Sequence, residues 1–194
     1  MFIVAKKARK AWHGQLQWAQ SIQLTPRRYN CGHCGNSELS DRGFPTQDQK
    51  IGVWLCPECT FPSFLAYDDQ CPGPTAGKLI AHLPPEIDNL YEEARDCLTV
   101  SAFTGTVLLC RKLLMNVAVS QGAVVNLSFQ AYVDYLLNAH LVPSNARQWL
   151  DSIRKKGNDA THEIPQTNRE DAVTILEFTD MLLRLTYELP QRAS

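Results

Sequence analysis

Four of the seven cysteines stand in two Cys-x-x-Cys pairs, Cys31-Gly32-His33-Cys34 and Cys56-Pro57-Glu58-Cys59, with 21 residues between them. Two thiolates three positions apart on a tight turn can grip one metal ion, and Gly32, Gly35 and Pro57 permit such turns. A second pair arriving from a neighbouring hairpin completes a tetrahedral set of four sulfurs. A four-thiolate centre has no open coordination position, so the expected Zn2+ is structural. It replaces hydrophobic core in a module too small to fold alone. The competing reading is a redox dithiol or a group of plain buried thiols. His33 lies inside the first knuckle and is expected beside the metal or at the surface. Cys71 is a weaker spare ligand, and Cys97 and Cys110 fall in helix interiors as core residues.

A second constellation lies in Arg154-Lys155-Lys156-Gly157-Asn158-Asp159-Ala160-Thr161-His162-Glu163. On a helix running through Gly157, Arg154, Asn158 and His162 drift by only about 40° per step and form one stripe. Such a stripe is the candidate catalytic set for metal-free phosphoryl chemistry. His162 would exchange a proton with a ribose 2′-hydroxyl or the leaving oxygen, Arg154 would neutralise the developing charge, and Asn158 would orient the ring or bind phosphate. The structural alternative is a C-terminal cap and a dipole partner near a helix end.

The third feature is charge. No acidic residue precedes Glu38, so Lys6, Lys7, Arg9, Lys10, Arg27 and Arg28 stand unopposed, and the remainder carries 13 basic against 20 acidic residues. The net charge of −1 conceals this asymmetry. A basic arm on an acidic body can contact nucleic acid, DNA or RNA; the alternative is a solvated or self-docking face. An acid-free basic N-terminus also resembles a transit peptide, but this one is rich in Gln and has no Ser before Ser21.

The elements that must position these residues divide at a proline-rich seam. Residues 15–24 largely alternate, with Leu16, Trp18, Ile22 and Leu24 on one side, and predict a half-buried strand with Trp18 in the core. Loop sequence follows, and Lys50–Leu55 and Phe61–Tyr67 read as two more short strands. Cys71-Pro72-Gly73-Pro74, Gly77 and Pro84-Pro85 mark a linker. Helical periodicity then predicts helices at about 85–100, 104–120, 128–139, 144–163 and 168–188. Pro85 opens the first, Thr104, Ser128, Ser144 and Asn168 are the expected N-caps, and Pro190 is expected to end the last. The second helix is apolar over most of its circumference, as the centre of a small bundle requires. The predicted organisation is α+β: a basic arm and strand over 1–28, a β-rich metal module over 29–71, a linker over 72–84 and an all-α bundle over 85–190.

At 194 residues, with 44% hydrophobic and 20% charged content, the chain is excluded from the disordered class. No uninterrupted apolar run approaches membrane-spanning length, and Met1–Ala5 is too short for a secretory h-region. The expectation is a cytoplasmic protein with no membrane partner.

The cysteine module resembles a zinc ribbon. From about Pro84 to Leu189 the chain resembles the domain of unknown function 4145 family. Arg111, within Leu109-Cys110-Arg111-Lys112-Leu113-Leu114, matches that family's Arg in the second helix. Arg154, Gly157-Asn158 and His162 match the motif near the end of its fourth. Met115 stands where the family often carries an acidic residue. The family is in turn similar to the HEPN superfamily, whose active members are metal-independent ribonucleases with a site formed across a dimer. Their Arg and His are separated by four to six residues; here seven intervene, and Lys155 replaces a small polar residue. The resemblance implies a homodimer, a setting in restriction or phage defence, and a protein partner from such an operon. Two functions are therefore expected. One is a zinc-binding, nucleic-acid-associated or partner-binding module with a dimerising HEPN-like domain. The other is a ribonuclease toxin or effector using Arg154 and His162.

Overall fold

The computed structural model of the protein describes residues 16–47, 50–142 and 167–192. The chain divides into two compact units, Met1–Pro74 and Thr75–Ser194. The first is an antiparallel sheet carrying the cysteine cluster and the second is helical, so the fold class is α+β.

Five strands, β1 (Ile22–Asn30), β2 (Ser37–Pro45), β3 (Ile51–Leu55), β4 (Pro62–Ala66) and β5 (Asp69–Cys71), pair in sequence order. Residues opposed across antiparallel strands share a face. One face carries the pairs Trp54–Ser63 and Gly52–Leu65. With Leu24, Tyr29, Cys31 and Cys56, Trp54 and Leu65 form the core of this unit. The other face carries Phe44, Val53, Phe64 and Cys71 as one row across four strands.

The first strand is displaced from its expected position. It begins at Ile22, and Trp18 is 38% exposed instead of buried. The cause is local: the Leu16 amide donates to Thr60 Oγ1 at 2.9 Å and the Trp18 indole N–H to the Thr60 carbonyl at 2.8 Å. Residues 16–18 thus follow the second knuckle and do not extend the ladder. The segment read as loop holds β2, whose inward positions are filled by Ser40 and Gly43.

The helical unit comprises α1 (Pro85–Thr99), α2 (Phe103–Ser120), α3 (Phe129–Asn138) and α4 (Arg169–Leu183). A π-helical turn, Arg184–Glu188, and a short α5 (Leu189–Arg192) follow. Pro85 occupies the first turn of α1, where no intrahelical N–H bond is lost. Ser128 caps α3 by accepting from the Ala131 amide, and Asn168 caps α4 by accepting from the Asp171 amide at 2.9 Å. Thr104 is not a cap: α2 begins one residue earlier, behind Ala102, with no side-chain acceptor. Cys110, Leu113, Leu114, Val117 and Ala118 are fully buried, which makes α2 the centre against which α1, α3 and α4 pack. By length and composition alone α2 is also apolar enough to cross a membrane.

Pro190 does not end the last helix. The π turn before it bonds the Leu189 amide to the Arg184 carbonyl. Its wider spacing relieves the clash a proline ring makes with the carbonyl four residues back. The helix expected over 144–163 lies outside the described residues.

Residues 75–83, expected as linker, are sewn along the helices. The Lys78 amide donates to Asp180 Oδ1 at 3.0 Å, and the Arg184 guanidinium donates to the Leu79 carbonyl at 3.2 Å. Arg95 Nε donates to the Ala76 carbonyl at 3.3 Å. Gly77 is required here: its φ is +66°, and a Cβ would lie 2.2 Å from the Tyr91 hydroxyl. Ile80 is buried in the helical core.

Candidate metal centre

Each cysteine pair sits on a turn that the backbone closes twice. In the first, the Cys31 amide donates to the Asn36 carbonyl at 2.9 Å and the Gly35 amide to the Cys31 carbonyl at 2.8 Å. In the second, the Cys56 amide donates to the Phe61 carbonyl at 3.0 Å and the Thr60 amide to the Cys56 carbonyl at 2.8 Å. The turns are copies of one another. The fourth residue after the leading cysteine is left-handed in both, Gly35 at φ 80° and Thr60 at φ 58°. Glycine takes that conformation freely; Thr60 holds it through the bonds from Leu16 and Trp18 to its side chain and carbonyl.

The strands bring the two turns together. All four sulfurs lie within 4.8 Å of one another, with Cys31 Sγ 3.7 Å from Cys59 Sγ and Cys34 Sγ 3.8 Å from Cys56 Sγ. A tetrahedron with metal–sulfur bonds of about 2.3 Å has edges of about 3.8 Å. Cys31, Cys34, Cys56 and Cys59 therefore have the donor chemistry and spacing to hold one metal ion. Backbone amides also converge on the sulfurs: His33 N–H reaches Cys31 Sγ at 3.4 Å and Cys59 N–H reaches Cys56 Sγ at 3.5 Å.

Crowding sets the proton affinities. Donation from Cys34, then from Cys56 and Cys59, pulls the Cys31 thiol far down, and Cys59 and Cys34 are pushed far up, chiefly by their donation to Cys31. Cys56 lies at about 7, its donation to Cys31 opposing the donations it receives from Cys34 and Cys59. Four thiolates at this separation cannot all ionise without a cation between them. Burial, then the Cys31 charge, raises the Tyr29 hydroxyl, which stays protonated beneath the cluster.

His33 is beside the cluster and not in it. Its Nε2 lies 3.0 Å from the Pro62 carbonyl and its ring 5.1 Å from the Phe61 ring, linking the first turn to the second. Cys71 is exposed and outside the set. Arg27 and Arg28, neighbours in sequence, lie on opposite faces. Arg27 stacks over Trp54 at 5.3 Å and donates to the Lys50 carbonyl, whereas Arg28 is exposed. In the helical unit Arg111 is half-buried with its guanidinium 4.4 Å over the Phe129 ring. Arg154, Asn158 and His162, and the arm residues Lys6, Lys7, Arg9 and Lys10, lie outside the described residues.

The polar cluster around Asp180 was missed in the sequence, although Asp180, Arg184, Glu188 and Arg192 alternate in charge at i,i+4 spacing. Asp180 accepts from Tyr91 Oη at 2.7 Å and from Arg184 Nε at 2.8 Å; Arg184 also reaches Glu188 at 2.6 Å, and Arg192 pairs with Glu188 as well. Burial pushes the Asp180 carboxyl up, but Arg184, the Lys78 amide and Tyr91 together hold it below the usual aspartate range.

A family model described as Domain of unknown function (DUF4145) matches residues 92–194. No curated protein and no solved structure matches the chain.

Proposed function

The chain belongs to the DUF4145 family, a domain of unknown function, and from that premise we propose that it is a zinc-dependent nucleic-acid-binding protein. The four thiolates hold a structural Zn2+ that organises the ribbon, and the basic residues of arm and ribbon hold phosphates. The helical domain joins two copies. The observation that carries this reading is the four-sulfur set, all within 4.8 Å, with Cys31–Cys59 and Cys34–Cys56 edges of 3.7 and 3.8 Å that suit zinc. Every position is a thiol, so the centre offers structure and no open site for hydrolysis. Exposed Arg28 supports phosphate contact. Val124 and Val125, adjacent in the α2–α3 connection and 70% and 59% exposed, support self-association.

Elemental analysis of the purified protein is expected to give one zinc per chain. Metal-free protein, or a Cys31–Cys34 disulfide in freshly reduced protein, would overturn the zinc assignment. Anisotropy titration with labelled single- and double-stranded oligonucleotides should show binding that weakens with salt, with a log–log slope of at most about five or six. Absence of binding to either form would end the nucleic-acid reading.

A further inference from the structure

An antiparallel sheet with one face on its core ordinarily turns polar side chains outward. The ribbon sheet does not. Its outer row runs Phe44, Val53, Phe64 and Cys71, flanked by the pair Ile51–Ala66, and Phe64 is 45% exposed. Trp18 extends the row: its ring meets Phe44 edge-on at 6.2 Å, and its indole N–H is anchored on the Thr60 carbonyl. Phe44 and Phe64 stand two strands apart, roughly 10 Å. Three aromatic rings thus cross one open face.

Cations stand on the same side. Arg28 lies between Arg27, over Trp54, and buried Tyr29, so it points outward with its partner Leu39. It makes no ion pair among the described residues. Exposed Arg42 donates to Ser21 Oγ at 3.2 Å, at the rim of a cleft of about 320 Å³ that Trp18 and Asp41 also line.

We propose that this outer face binds a single strand of nucleic acid, with bases stacked on Phe64, Phe44 and Trp18 and phosphates held by Arg28 and Arg42. The inference rests on the nucleic-acid reading above and specifies the form of the strand. Flat aromatic platforms gain contact only from unpaired bases, whose faces are free; in a duplex they are covered by neighbouring pairs. Arg42, two residues from Phe44 on β2, and Arg28, farther along the same side opposite Leu39, supply charge that phosphates require and that an apolar peptide would not.

The test uses the zinc-loaded full chain and fluorescein-labelled (dT)20, (rU)20 and a 20-base-pair duplex, read by anisotropy. Single strands should bind at least tenfold more tightly than the duplex. Phe44→Ala/Phe64→Ala should weaken single-strand binding at least tenfold while leaving duplex binding unchanged, and Trp18→Ala should weaken it severalfold. Arg28→Gln should lower the salt slope by about one. Zinc content and the thermal transition confirm that each variant folds. As a second readout on the wild type, single strand should slow maleimide alkylation of Cys71, the thiol at the end of the row. Binding of single strands that ignores the aromatic substitutions, or no protection of Cys71, would overturn the inference and leave the nucleic-acid reading standing. Failure of every oligonucleotide to bind would overturn both. Loss of a dimer in Phe44→Ala/Phe64→Ala, without loss of oligonucleotide binding, would assign the face to a second copy of the chain instead.

Discussion

Asp180 shows what a single carboxylate does in this fold. It gathers the Tyr91 hydroxyl, the Lys78 amide and the Arg184 guanidinium from three parts of the chain. Its carboxyl is held below the ordinary aspartate value. A depressed folded-state pKa contributes stability that is complete above the unfolded value of about 3.9 and is lost as pH falls through the folded one. Asp180→Asn should therefore cost about 1–2 kcal/mol near neutral pH. Urea melts at intervals from about pH 6 to pH 3 should show that difference shrinking; a constant difference would mean that the charge is not what matters. The i,i+4 spacing of Asp180 and Arg184 is legible in the sequence, but the bonds from Tyr91 and the Lys78 amide come from far away in the chain and leave no sequence pattern. The cysteines are the opposite case. Their ligand geometry is local to two short turns, so spacing alone reveals them, whereas the need for Thr60 to copy Gly35 emerges only when the turns are superposed.

Among the elements, legibility followed hydrophobic periodicity and capping. Strands β3 and β4 and helices α1 to α3 were readable because apolar positions recur at the right interval and Pro85 and Ser128 punctuate them. Strand β2 was not readable, because Ser40 and Gly43 fill its inward positions and leave no apolar signal. The alternation over residues 15–24 was real but misleading: hydrogen bonds to Thr60 take Leu16 and Trp18 out of the sheet. Caps give a direct check on this level. Ser128→Ala and Asn168→Ala should each lower stability by about 1 kcal/mol in chemical denaturation, since each removes an acceptor from an unpaired helix amide. Thr104→Ala should change it by less than about 0.5 kcal/mol, because that exposed hydroxyl caps nothing. Equal losses at all three positions would contradict the observed start of α2.

At the scale of the whole molecule, the two units have separate cores. One is built on Trp54, Leu65 and the cysteines and the other on α2 and its neighbours. The first is small, with few large buried side chains, so under the proposed zinc reading a metal held by the four cysteines would supply much of its folding free energy. Cys56→Ser, or zinc removal by a chelator, should unfold the ribbon and leave the helical unit largely intact. Amide hydrogen exchange should then show protection lost over residues 22–71 and kept in α2 and α4. Loss of protection throughout would mean that the units fold as one.

The strap over residues 75–83 changes where a cut can be made in the gene. The family match begins at residue 92, yet fully buried Tyr91 and the hydrogen-bonding Lys78 lie before it. A fragment cloned from the match alone would begin inside α1 and strip Asp180 of two of its partners. The compact helical unit starts at Thr75, and truncations designed on family boundaries would discard a seam that ties residues 76–79 to Arg95, Asp180 and Arg184.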